Sequence, residues 1–113
     1  MDVKLVVHKR NGQLQICRLH REQTLVGRRQ ECDVRILSWE VSRRHCLLSI
    51  YDGYVTVQDL SSVNGTFLNH ERVVGEQIIW PGDCLGIASV GFLVEYEVSS
   101  AAQKRLGQQA RKQ

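Results

Sequence analysis

Between residues 3 and 97 no stretch sustains the spacing of an amphipathic helix; short apolar alternations are cut at close intervals by turn signals. That leaves a β-sandwich or a barrel. Val3, Leu5 and Val7 alternate with Lys4, Val6 and His8, and Asn11-Gly12 turns the chain back through Leu14, Ile16, Cys17 and Leu19. Thr24, Leu25 and Val26 end at Gly27. Cys46, Leu48 and Ile50 share a face, Asp52-Gly53 makes a two-residue hairpin, and Val55 and Val57 return inward. Thr66-Phe67-Leu68, Val73-Val74, Ile78-Ile79, Leu85 with Ile87, and Phe92, Val94 and Tyr96 supply further short strands. Asn69-His70, Trp80-Pro81-Gly82-Asp83 and Ser89-Val90-Gly91 read as turns.

A chain of 113 residues fits one core, and 42% apolar with 24% charged residues is the balance of a soluble domain. No run is long enough to span a bilayer, and the first residues lack the pattern of an export signal, so the expected location is the cytoplasm. Cys17, Cys32, Cys46 and Cys84 form no CxxC pair and are expected to be buried free thiols. Residues 99–113 carry almost no large apolar side chains. The expected organisation is a domain over residues 1–98 and a basic tail or linker over residues 99–113.

The polar residues gather at strand ends. Arg28 follows the strand that closes on Gly27, and its planar donor fork suits phosphate oxygens. Ser42 offers a hydroxyl and Arg43 a second cation; Ser62 and Asn64 bring donors and acceptors from another loop. Gly65 permits a backbone shape most residues resist. A phosphorylated side chain, with about −1.5 to −2 charges and three strong acceptors, matches such a set.

The ordered series Gly27-Arg28, Ser42-Arg43-Arg44-His45, Leu60-Ser61-Ser62-Val63-Asn64-Gly65-Thr66, Phe67-Leu68-Asn69 and Pro81-Gly82-Asp83 resembles the forkhead-associated (FHA) domain. The likeness covers essentially residues 3–98. It implies a β-sandwich of about eleven short strands with peptide-binding loops at one end. By the same resemblance Arg28, Ser42 and Arg43 hold a phosphate, and Asn64 binds the peptide main chain beside a phosphothreonine. Ser62, Val63 and Trp39 are expected to meet the peptide. His45 braces the binding loop, Gly27 and Gly65 set backbone shape, and Thr66 supports the loop. Val63 stands where many relatives carry a polar residue; its side chain cannot donate to phosphate, although its N–H can. Trp39 either lines the peptide groove or packs over the sandwich end.

The resemblance implies noncatalytic recognition of a threonine-phosphorylated protein, and with it a Ser/Thr kinase in the same cell. No cofactor and no metal is called for: His45 and Cys46 lack the ligand spacing of a zinc site. Ser42 with His45 lacks an orienting acid and an oxyanion motif, which argues against hydrolysis. The formal charge of +3, without aromatic interleaving, argues against nucleic acid as the main ligand. A phosphate-independent assembly module is the alternative function.

Overall fold

The computed structural model describes residues 1–98. The expected basic tail, residues 99–113, lies outside the described residues. The alternating stretches form eleven strands among the described residues, in two sheets that face each other. One sheet has the order β2-β1-β11-β10-β7-β8, built from β1 (Val3–His8), β2 (Leu14–Leu19), β7 (Thr66–Leu68), β8 (Glu71–Arg72), β10 (Cys84–Ile87) and β11 (Val90–Glu95). The other has the order β4-β3-β5-β6-β9, built from β3 (Gln23–Gly27), β4 (Val34–Arg35), β5 (Cys46–Tyr51), β6 (Tyr54–Asp59) and β9 (Glu76–Ile79). All pairings are antiparallel except β3 with β4.

The inward sets are those the alternation marks. Val3 and Leu5 meet Leu85, Ile87 and Val94 of their own sheet's inner face and oppose Val26, Cys46, Leu48, Val55, Val57 and Ile79 of the other; all are at most 1% exposed. Each such aliphatic side chain contributes about 1.5–3 kcal/mol when buried, which makes the sandwich a firm base for its end loops, and Val41, 0% exposed, ties the β4–β5 loop into the same core. The aromatic pair flanking the Asp52-Gly53 turn stacks as cross-strand neighbours, Tyr51 on Tyr54 with ring centroids 5.2 Å apart.

Three local expectations change. Val73-Val74 is not a strand. Asn69 and His70 both take positive φ (50° and 73°), making a tight hairpin that pairs Leu68 with Glu71 and Phe67 with Arg72. The strand is spent two residues earlier; Val73 drops into the core and Val74 is left 81% exposed. The turn expected at Ser89-Val90-Gly91 lies one residue earlier, with Ala88 at φ 53° and Ile87 pairing with Val90. All four cysteines are free, but Cys84 is exposed and Cys17 half-buried; only Cys32 and Cys46 are buried. Cys84 opposes Leu93, an outward position on β11, so strand phase rather than residue type decides its exposure.

Candidate functional site

At one end of the sandwich the β3–β4, β4–β5, β6–β7 and β10–β11 connections converge on a cleft of about 930 Å³. Arg28, Ser42, Arg43, Val63 and Asn64 all line it, as does Trp39. The structure thus unites residues that lie up to thirty-six positions apart in the chain, from Arg28 to Asn64.

The phosphate-side residues are set by a close backbone crossing. The N–H of Arg28 reaches the carbonyls of Ser42 and Arg43, each at 3.1 Å, and the N–H of Arg29 reaches Arg43 at 3.2 Å. This approach is open only because residue 27 has no side chain: a Cβ there would lie 2.2 Å from the Arg43 carbonyl oxygen. Cys32 donates its thiol to that same carbonyl at 3.2 Å. The Arg28 side chain donates from Nε to the Val41 carbonyl at 3.1 Å, which fixes its direction and leaves its outer nitrogens for a ligand. Among the described residues, neither Arg28, Arg43 nor Arg44 forms an ion pair.

His45 is fully buried beneath this loop. Its Nδ1 accepts the Ser42 N–H at 3.0 Å, and its Nε2 lies 2.8 Å from the Gly65 carbonyl oxygen. The first contact makes Nδ1 an acceptor and therefore Nε2 the donor. One ring thus ties the Ser42 loop to the Asn64 loop. Gly65 takes φ 88°, and a Cβ on it would also meet the Phe67 ring at 3.0 Å.

The β6–β7 loop is organised by Asp59. Its carboxylate accepts from the Ser62 N–H at 3.1 Å, from the Ser62 hydroxyl, and from the buried Thr66 hydroxyl at 2.6 Å. The Ser62 oxygen in turn accepts the Gly65 N–H at 3.0 Å. Ser62 is therefore buried and engaged inward; it shapes the loop and does not face the cleft, contrary to its expected peptide contact. Thr66 is anchored to the same carboxylate as Ser62. Burial pushes the Asp59 carboxyl up, but the hydroxyls of Ser62 and Thr66 and the Ser62 amide outweigh it and hold the group below its usual range.

A carboxyl depressed in the folded state stabilises the fold above its unfolded value, near 4, and that contribution disappears as pH falls through the folded value. Thermal melts followed from about pH 6 to about pH 3 are expected to show the wild type losing more stability than Asp59→Asn, which starts lower. Parallel declines in the two proteins would remove Asp59 as the source.

Ser42 and Val63 meet directly: the Val63 N–H donates to the Ser42 hydroxyl oxygen at 3.0 Å. The Ser42 oxygen, expected at the phosphate, and the Val63 N–H, able to donate to one, are thus already paired with each other, and the Ser42 hydroxyl proton remains to be given. Asn64 donates from Nδ2 to the Glu40 carbonyl at 2.7 Å, leaving its side-chain oxygen and second N–H. Trp39 and Val63 are 86% and 83% exposed and form an apolar rim, so Trp39 does not pack over the sandwich end.

Two contributors escape sequence inspection. Glu40 and Ser89 both line the cleft, and the Ser89 hydroxyl donates to the Glu40 carboxylate across forty-nine positions of chain. No local pattern announces that pair. Asp59 does carry a local signal, its three-residue spacing to Ser62.

Residues 24–88 match the model of the FHA domain. The chain is similar to the oxoglutarate dehydrogenase inhibitor of Corynebacterium glutamicum, 40% identical over 65 residues that make up 58% of this chain and 45% of that protein. It is also similar to its counterpart in Corynebacterium diphtheriae, 42% identical over 53 residues, 47% of this chain and 37% of that protein. The chain spans less than half the length of these relatives. Among solved structures, the yeast Dun1 FHA domain in complex with a doubly phosphorylated peptide superposes with a TM-score of 0.71 at 30% identity, covering 88% of this chain and 77% of that one. A domain described for phosphothreonine-dependent FHA interactions superposes at 0.75 with 25% identity, covering 88% of this chain and all of that one.

Proposed function

Since the chain belongs to the FHA family, we propose that it is a noncatalytic module that binds phosphothreonine-containing protein segments. One observation carries this: three arginines line a cleft in which none of them has a carboxylate partner among the described residues. Holding such charges close together is unfavourable until an anion arrives, and phosphate supplies up to two negative charges in one small group. Arg28 grips it with its outer nitrogens, Arg43 adds charge, and Ser42 donates its hydroxyl. Asn64, held by Glu40, offers its remaining amide groups to the peptide main chain.

The phosphothreonine lies outside the folded sandwich. Thr24, Thr56 and Thr66, all the threonines of these 113 residues, are 3%, 4% and 0% exposed. A kinase has no access to them in the folded sandwich, so a second folded copy of this sequence does not provide the ligand. The reading calls for a threonine outside this folded segment, phosphorylated by a Ser/Thr kinase, with both in the cytoplasm. The apolar rim of Trp39 and Val63 meets the residues beside the phosphothreonine.

A phosphopeptide library with unphosphorylated controls tests this. Retention of phosphothreonine peptides alone is the expected result. Equal retention of both sets would replace it with the phosphate-independent assembly reading, for which the same apolar rim would be the docking surface.

A further inference from the structure

The cleft carries both signs of charge. Arg28, Arg43 and Arg44 line it, and Arg29 and Arg35 extend the basic surface beside Arg28 and Arg43. Glu40 is the one carboxylate among the described lining residues; its carbonyl holds Asn64 and its carboxylate receives the Ser89 hydroxyl. Among the described residues Glu40 forms no ion pair with the arginines of the same cleft. Its hydrogen bond to neutral Ser89 fixes its position and leaves its charge uncompensated.

We propose that Glu40 is a specificity-determining residue: it selects phosphothreonine segments carrying a lysine or arginine beside the phosphothreonine, and rejects acidic ones. This rests on the phosphopeptide reading above. The phosphate takes up the charge of the cleft arginines, and Glu40, through its own carbonyl, holds the Asn64 over which the peptide continues. A ligand complementary to the cleft is negative at the phosphate and positive beside Glu40.

The size of the effect follows from exposure. Glu40 is half-buried at a solvent-filled cleft, where a charge pair contributes as at a surface, about two- to fivefold in affinity. It therefore tunes the choice among phosphorylated partners and does not replace the phosphate as the main anchor. Like other exposed pairs it weakens as salt rises.

The test is a set of matched phosphothreonine peptides with lysine or aspartate placed in turn at each flanking position, titrated by fluorescence anisotropy. Wild type is expected to favour lysine over aspartate by about two- to fivefold at one or more positions, less so in high salt. Glu40→Gln keeps an acceptor for Ser89 and removes the charge; the preference should collapse toward unity, with aspartate peptides gaining most. Glu40→Asp should keep the preference's sign, and melting curves establish that each variant is folded. Equal binding of lysine and aspartate peptides to the wild type, or an undiminished preference in folded Glu40→Gln, overturns the proposal. Unphosphorylated peptides binding as well as phosphorylated ones would instead overturn the phosphate reading on which it rests.

Discussion

Replacing Arg28 with alanine is expected to cost about 2–5 kcal/mol of phosphopeptide affinity, roughly thirty-fold to several thousand-fold, with little change in stability. The asymmetry comes from what the side chain does in each state. Within the fold it makes one hydrogen bond, Nε to the Val41 carbonyl at 3.1 Å, at a partly exposed position. Against phosphate it would offer two further nitrogens and a full charge in a cleft with no competing carboxylate paired to it. Arg28→Lys keeps the charge and loses the planar fork, so its affinity should fall between the two. Isothermal titration beside thermal melts separates binding from folding. A melting temperature that collapses in Arg28→Ala would make the arginine a structural residue, and unchanged affinity would remove it from the site.

His45→Ala should behave in the opposite way, damaging the fold first. The ring is fully buried and spends both nitrogens, one on the Ser42 N–H and one on the Gly65 carbonyl. Alanine leaves the Ser42 N–H without a partner, leaves the Gly65 carbonyl with only the Ala88 N–H, and opens a void between the loops. The orphaned amide costs about 1–3 kcal/mol and the void adds to it, so a loss of about 3 kcal/mol or more is expected. For a domain of this size that is a drop of about 10 °C or more in melting temperature. Affinity should fall as well, because the Ser42 and Asn64 loops lose their common tie. Unchanged melting would contradict the bracing role.

The sandwich was legible because its signals are local. Alternation in Leu48, Val55, Val57, Leu85 and Val94 marks the core face, and Asn11-Gly12 and Asp52-Gly53 mark hairpins through their tolerance of positive φ. Val73-Val74 misled for a complementary reason. Two β-branched residues favour a strand by propensity, but the tight Asn69-His70 hairpin sets the register and exhausts the pairing at Arg72. Placing Arg28, Ser42 and Asn64 in one cleft needed the ordered motif, since no periodicity relates residues on separate loops. Ser62 shows the limit of motif reasoning: a hydroxyl in a binding loop can point to the ligand or back into the protein, and Asp59 draws it back. The Glu40–Ser89 contact had no sequence trace at all, because it joins two loops only after the sheets have formed.

The most direct test of the account is a titration of isotope-labelled protein with one threonine peptide in phosphorylated and unphosphorylated form, followed by backbone amide resonances. Phosphate-dependent shifts centred on Arg28, Ser42, Arg43 and Asn64 are the predicted result. Identical responses to both peptides, or shifts centred on the outer faces of the sheets with those four amides still, would contradict it.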